Sequence, residues 1–135
     1  MIVTDHCDYT VAQKTARDDF KQTPGGLPGM ETLLPLTYTY GVTKVHVTVS
    51  QLVELLSCNP ARLWGLWPRK GALLPGADAD IVIYDPEPER TIRVESLHSA
   101  AGYTPFEGLS VQGQVKVTIS RGRVIYRDNQ FVGHK

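Results

Sequence analysis

Apolar positions follow two patterns along the chain, helical in the first half and β-like in the second, with the change near Pro68. Residues 30–40 are predicted to form a helix that Pro35 interrupts or kinks. Thr48 is a good N-cap for the next helix, because its hydroxyl can accept a hydrogen bond from the first turn. That helix should bury a stripe of residues at helical spacing, which comprises Val49, Leu52, Val53, Leu55 and Leu56.

A short helix, a Gly/Pro turn and a buried strand are predicted next. Asn59 can cap a helix that begins with Pro60, so one helix is expected to end there and another to start. Residues 81–84 form an apolar, β-branched run closed by Asp85-Pro86, which is typical of a strand. Further strands are predicted at 91–94, 111–119, 123–127 and 130–132, with hairpin turns at Arg121-Gly122 and Asp128-Asn129.

The N-terminal region contains a short apolar run and a long polar segment. Residues 1–4 are β-compatible, and the run stops at Asp5. A single strand leaves its backbone hydrogen-bonding groups unpaired, so the chain is expected to belong to a larger fold. Residues 9–29 are polar and then rich in Gly and Pro, which predicts a long loop, and long loops in compact domains are often functional.

Length and composition limit the classes of protein to which the chain can belong. The 135 residues fit one domain or part of one, whereas a complete β/α barrel needs about 250 residues. The 14 basic and 14 acidic residues give no electrostatic case for nucleic acid or an anionic membrane. No apolar stretch approaches the roughly 18 residues of a membrane span, and the acidic N-terminus is unlike a signal peptide. Cys7 and Cys58 form no C-x-x-C pair and are expected to be reduced thiols in a cytoplasmic protein.

Asp5 is the first candidate for chemistry because it directly follows the N-terminal apolar run. In β/α barrels, catalytic residues lie at the C-terminal ends of strands, where a carboxylate can bind a metal ion and take a proton from water. By itself, the position is more typical of a turn residue or a helix cap. Other candidates are interpreted structurally. Asp78 and Asp80 lie before a strand and are expected to serve a turn and structural hydrogen bonds. Trp64 and Trp67 are expected to form helix core or an interface, and Cys7 is a thiol without the partners that a nucleophile needs.

Five motifs occur in a fixed order: TDHC, PGGLPGMET, NPARLWGL, KG followed by PGADADIV, and YTPFEG. Together they resemble the cyclic-amide branch of the metal-dependent amidohydrolases, namely dihydropyrimidinases, hydantoinases and phenylhydantoinase-like enzymes, with dihydroorotases and allantoinases more distant. The resemblance implies an α/β part followed by a β part. Residues 1–67 would form the last strand and helices of a TIM barrel, and residues 68–135 the C-terminal part of a small β-sandwich.

The resemblance also implies roles for particular residues. Asp5 matches an aspartate that binds the more buried of two metal ions, usually zinc, and acts as general base for the hydroxide that attacks the ring amide. Pro24, Gly25 and Gly26 match a loop whose main chain hydrogen-bonds a cyclic imide or ureide. Many dihydropyrimidinases have Asn at the position of Gly25, so the exact substrate stays open between hydantoins, dihydropyrimidines and other ureides.

Most of the metal ligands of that family have no match in this chain. The family uses an H-x-H pair, a carboxylated lysine and two further histidines. None of His6, His46, His98 and His134 falls in such a motif, and His6 is expected to be a packed or hydrogen-bonded neighbour of Asp5. One carboxylate cannot hold two metal ions, so most of the active site is expected upstream of Met1.

Two functions remain open on this basis. In the first, the chain is the C-terminal part of a hydrolase of cyclic amides, inactive alone and completed by an N-terminal segment. In the second, it is a non-catalytic oligomerising scaffold, as among the collapsin-response-mediator proteins, and Asp5 is a relic. Both predict a homo-oligomer or a complementing segment, and neither predicts nucleic acid or a membrane as partner.

Overall fold

The computed structural model describes residues 1–133, so His134 lies outside the described residues. Short helical segments, several of them separated by loops, lie between Val11 and Leu63, and an antiparallel sheet begins at Ile81. The predicted division between residues 67 and 68 stays a prediction. The helical segments are α1 (Val11–Lys14), a 3₁₀ turn (Phe20–Gln22), α2 (Leu33–Thr37), a π-helical segment (Tyr38–Thr43), α3 (Val49–Val53), a second π-helical segment (Glu54–Cys58) and α4 (Asn59–Leu63).

Helix α2 begins later than predicted, and this changes the role of Pro35. Because α2 begins at Leu33, Pro35 lies in its first turn, where backbone N–H groups have no intrahelical partner. The prediction that Pro35 interrupts or kinks the helix is therefore wrong. Its ring is instead one of the most deeply buried groups of the protein. The helical path continues through the π-helical segment to Thr43.

Helix α3 has the predicted cap but only part of the predicted buried stripe. The Thr48 hydroxyl accepts from the N–H of Gln51 at 3.2 Å, and the Gln51 side chain accepts from the N–H of Thr48 at 2.8 Å. This reciprocal pair is a capping box and confirms Thr48 as the N-cap. Leu52 is 4% exposed, whereas Val49 and Val53 are 56% and 51% exposed, so the prediction of burial is wrong for these two valines.

Asn59 does not cap a new helix, so the prediction that one helix ends there and another begins is wrong. Cys58 and Asn59 both have helical backbone angles, so the chain runs from α3 through the π-helical segment into α4 without a break. Pro60 lacks the N–H that an α-helix would use, and its ring collides with a normal preceding turn. The wider π-helical turn directly before it gives the ring room.

The sheet has the order β1-β2-β3-β4, with each strand antiparallel to the next. Predicted strands 111–119, 123–127 and 130–132 are confirmed, with small shifts of boundary. The two hairpin turns are also confirmed, because the central residues of both have positive φ, as type I′ turns require. The strands are β1 (Ile81–Thr91), β2 (Ser110–Ser120), β3 (Arg123–Arg127) and β4 (Gln130–Phe131).

Strand β1 is longer than predicted. It does not end at Asp85-Pro86, because an irregularity in its pairing with β2 between Asp85 and Glu89 accommodates the proline-containing stretch. The separate strand predicted at 91–94 is wrong. Thr91 is the last residue of β1, and Val94–Ser96 forms a 3₁₀ turn.

The first π-helical segment packs on the sheet through a hydrogen bond and an aromatic contact. The Thr39 hydroxyl accepts from the N–H of Gln112 in β2 at 2.8 Å. The rings of Tyr38 and Tyr84 lie 5.1 Å apart, and the Tyr84 hydroxyl donates to the carbonyl of Gln112 at 2.7 Å. Gly113 lets the Tyr84 ring approach, since a Cβ there would lie 2.4 Å from it. None of the helices described between residues 1 and 133 has the length and apolar character of a membrane span.

Candidate functional site

Asp5 lies at the apex of a tight turn rather than at the end of a paired strand. Residues 1–5 join no β-ladder, although the N–H of Ile2 donates to the carbonyl of Leu55 at 3.0 Å. The strand predicted for residues 1–4 is therefore not formed within the described chain. The N–H of His6 donates to the Thr4 hydroxyl at 3.2 Å, and Asp5 has a φ of 48° with an exposed side chain. Residues 4–7 are called the Asp5 turn below.

A glycine-rich loop, residues 24–30, lies against the Asp5 turn and is called the glycine loop below. The N–H of Cys7 donates to the carbonyl of Leu27 at 3.1 Å, in a short parallel bridge. Gly26 has a φ of 100°, and a Cβ built on it would lie 2.3 Å from the Cβ of Cys7. Only glycine permits this approach. The structure thus brings together the two pieces that the sequence proposed as a site.

His6 joins the same two pieces through its side chain. Its Nδ1 accepts from the N–H of Gly29 at 3.1 Å and from the N–H of Met30 at 3.2 Å. An imidazole nitrogen that accepts carries no proton, so the proton of the neutral ring is on Nε2. His6, the residue next to Asp5, is thus hydrogen-bonded to the glycine loop, which is one of the two arrangements expected for it.

The start of the glycine loop leaves peptide groups available to a ligand. The Lys14 ammonium donates to the carbonyl of Pro24 at 2.8 Å and holds that end of the loop. Within residues 1–133, the peptide groups of Gly25 and Gly26 have no hydrogen-bonding partner, and both residues are exposed. No atom lies within 4 Å of the position that a Cβ of Gly25 would take.

The residues present do not form a metal site by themselves. Among residues 1–133, no group of three or more His, Cys, Asp and Glu side chains is placed to hold a metal ion. Near Asp5, the Nδ1 of His6 is occupied by backbone N–H groups. Cys7 and Cys58 are both free thiols, as the sequence predicted, and both are partly buried. Asp5 therefore offers a single carboxylate.

A cavity of about 830 Å³ lies beside the glycine loop and is lined by residues of the N-terminal half and of the sheet. Neither Asp5 nor Gly25 lines it. At its edge, the Glu31 carboxylate accepts from the N–H of His98 at 2.8 Å and lies 2.9 Å from the Nδ1 of the same residue. Sequence reasoning missed this pair, because its members are 67 positions apart and no local pattern links them.

Asp78 and Asp80 have the structural role that the sequence predicted. Lys70 lies 2.9 Å from the Asp78 carboxylate and forms a second ion pair with Asp80, which also accepts from the N–H of Arg121 at 2.7 Å. Asp80, and then Asp78, raise the pKa of Lys70. Lys70, and then the Arg121 N–H, lower the pKa of Asp80. The cluster ties the segment before β1 to the β2–β3 turn.

The two tryptophans are not helix core. Trp64 is 73% exposed and Trp67 is 38% exposed, so that part of the prediction is wrong. The Arg62 guanidinium lies 4.5 Å from the centre of a Trp67 ring, which is a cation–π contact. The alternative prediction, an interface, stays a prediction.

Comparison with known proteins identifies the class. The sequence model of the Amidohydrolase family matches residues 1–125, and the chain therefore belongs to this family. A D-phenylhydantoinase of Escherichia coli (strain K12 / DH10B) is 44% identical over 135 residues, which are 98% of this chain and 29% of the relative.

Solved structures agree with this placement. A dihydropyrimidinase from Brevibacillus agri NCHU1002 superimposes with a TM-score of 0.93 at 42% identity, over 96% of this chain and 29% of the other. A D-hydantoinase (dihydropyrimidinase) from Thermus sp. gives 0.92 at 41% identity, over 97% and 29%. The predictions of family and fold class are confirmed, and the chain spans less than a third of the length of these relatives.

Proposed function

We propose that this chain supplies part of the active site of a cyclic-amide hydrolase, which opens a hydantoin or dihydropyrimidine ring at a C–N bond. One observation carries the proposal. The Asp5 turn and the unpaired Gly25–Gly26 peptide groups are held side by side in a chain that is 44% identical to a D-phenylhydantoinase.

The Asp5 carboxylate is the proposed base. Its exposed position allows it to take a proton from an attacking water molecule. The oxygen of that water adds to the ring carbonyl carbon, the ring C–N bond breaks, and the proton passes from Asp5 to the leaving nitrogen. The same carboxylate is the proposed ligand of one metal ion, for which we propose zinc. A metal ion bound there would lower the pKa of water and polarise the carbonyl.

The glycine loop is the proposed substrate contact, through Pro24, Gly25 and Gly26. A cyclic imide or ureide presents alternating N–H and C=O groups along one edge, and an unpaired peptide presents the complementary pair. Because Gly25 and Gly26 leave their peptide groups unpaired within residues 1–133, they can bind this edge without breaking an internal hydrogen bond.

The remaining metal ligands are proposed to come from a complementing N-terminal segment, because a single carboxylate does not hold two metal ions. We also propose that the chain forms a homo-oligomer. The two free thiols are consistent with a cytoplasmic location, which we also propose.

Complementation tests the function. The part of the E. coli D-phenylhydantoinase outside the matched region is co-expressed with this chain and purified with added zinc, and ring opening of hydantoin and dihydrouracil is measured. We expect activity from the pair, loss of activity and of about half the bound zinc with Asp5→Asn, and no change with the exposed neighbour Asp8→Asn. A stable pair that retains full activity with Asp5→Asn would contradict the role of Asp5.

A non-catalytic scaffold is the second candidate function. Leu63, Trp64 and Leu73 are 64%, 73% and 75% exposed, and exposed large apolar side chains favour association. Under this alternative, the same co-expression experiment yields a stable complex that binds no zinc and opens no ring.

A further inference from the structure

We propose that His6 is a positioning residue that sets the distance between Asp5 and the glycine loop. The inference rests on the proposed function, because it concerns how Asp5 and the glycine loop are held at the separation that one substrate requires. The side chain is not proposed to touch substrate or metal.

His6 takes part in both pieces of the site at once. Its backbone N–H donates to the Thr4 hydroxyl at 3.2 Å and closes the turn around Asp5. Its Nδ1 accepts from two successive N–H groups of the loop, those of Gly29 and Met30, at 3.1 and 3.2 Å. One residue therefore connects the backbone around Asp5 to the backbone of the glycine loop.

The connection extends from the loop to the helical framework. The carbonyl of Gly29 accepts from the hydroxyl of Thr32 at 3.2 Å, and Thr32 is 2% exposed and directly precedes α2. Gly29 is thus fixed on its N–H side by His6 and on its carbonyl side by Thr32. A displacement of the glycine loop relative to Asp5 would have to break these bonds or move α2 together with the π-helical segment that follows it, which packs on β2 through Thr39.

The acceptor at Nδ1, rather than the bulk of the ring, is the feature that the inference requires. Two backbone N–H groups, one partly buried and one at an exposed position, converge on that atom, and both lose their hydrogen-bond partner if the acceptor is removed. A side chain with an acceptor one bond from Cγ should preserve the arrangement. A ring of similar shape without an acceptor should not.

The first test measures the hydrogen bonds directly and needs no activity. In the ¹⁵N-labelled chain at about pH 8, two-bond ¹H–¹⁵N spectra of the imidazole should show the proton of His6 on Nε2 and none on Nδ1. The amides of Gly29 and Met30 should exchange slowly with solvent. A proton on Nδ1, or fast exchange at both amides, would overturn the inference.

The second test compares His6→Asn with His6→Phe in the complemented enzyme. The Asn carbonyl oxygen is one bond from Cγ, as Nδ1 is, whereas Phe keeps the ring and loses the acceptor. We expect His6→Phe to raise KM for hydantoin about tenfold or more, with zinc content unchanged, and His6→Asn to stay within about threefold of the parent. The reverse order would show that the ring acts by packing and would overturn the inference.

Failure of the proposed function is distinguishable from failure of this inference. If no variant opens a ring, the imidazole and amide measurements still decide the role of His6. If His6→Phe does not fold, the measurements on the unsubstituted chain and on His6→Asn remain, since slow exchange at Gly29 and Met30 must persist in His6→Asn.

Discussion

At the scale of single residues, Gly25 and Gly26 are neighbours with opposite tolerance for a side chain. Gly26 has a φ of 100°, and a Cβ there would meet the Cβ of Cys7 at 2.3 Å, whereas the corresponding space at Gly25 is open. We expect Gly26→Ala to lower the free energy of unfolding by about 1–3 kcal/mol and Gly25→Ala to change it by less than about 0.5 kcal/mol. Urea unfolding followed by circular dichroism measures both, and equal effects would contradict the close approach of the loop to Cys7.

Tyr84 should make stability depend on alkaline pH. Burial raises the pKa of Tyr84 to about 12, from an ordinary value near 10.0. Between these values the unfolded chain loses the phenol proton while the folded chain keeps it, so stability falls as pH rises through this window. Below the unfolded pKa both states are protonated, and Tyr84 contributes no pH dependence.

Tyr84→Phe tests this expectation. The substitution removes the hydroxyl that donates to Gln112, which should cost about 1 kcal/mol near neutral pH, and it should make the alkaline fall in stability shallower. Urea midpoints measured from about pH 9 to about pH 12 give the slope. Tyr9→Phe, at an exposed position, controls for the loss of a phenol. An unchanged alkaline slope in Tyr84→Phe would assign the fall to other groups.

At the scale of elements, the capping box of α3 is the clearest case in which local sequence determines structure. Thr48→Ala removes the acceptor for the N–H of Gln51 and should cost about 1 kcal/mol. Ser50→Ala, at an exposed position inside the same helix, should be neutral or slightly stabilising because alanine favours helices. Thermal unfolding of the two variants side by side measures the difference, and equal midpoints would argue against the capping box.

Other elements were not predictable in the same way, for identifiable physical reasons. Thr48 and the type I′ turns use signals that lie within four residues, and the sequence revealed them. The passage of the helix through Asn59-Pro60 depends on a widened turn before the proline, and propensity alone predicts a break there. The exposure of Val49 and Val53 depends on what packs against α3, which a periodic pattern does not specify.

The candidate site likewise has parts that the sequence predicted and parts that it did not. Motifs located Asp5 and the residues around Gly25, because their order along the chain resembles one family. The bonds that hold them together involve His6 with Gly29 and Met30, 23 and 24 positions away, and Glu31 with His98. Such pairings arise from the tertiary fold, and no residue spacing predicts them.

At the scale of the whole molecule, the described chain has little core for its exposed apolar surface. Its fully buried large side chains are Ile92, Val111 and Pro35, whereas Leu63, Trp64 and Leu73 are mostly exposed. The sheet also has two outer strands, β1 and β4, each with one edge unpaired within residues 1–133. Exposed apolar side chains and unpaired strand edges both favour association with another chain.

Self-association is therefore the expected state of the chain by itself. In sedimentation velocity we expect species larger than the 14.9 kDa monomer, and we expect Trp64→Lys to shift the distribution towards monomer. Ser50→Lys adds the same charge at an exposed polar position and should leave the distribution unchanged. If the surface around Trp64 also receives the complementing segment, adding that segment should replace the self-associated species with a defined complex. A chain that sediments as a monomer at every concentration tested would contradict this expectation.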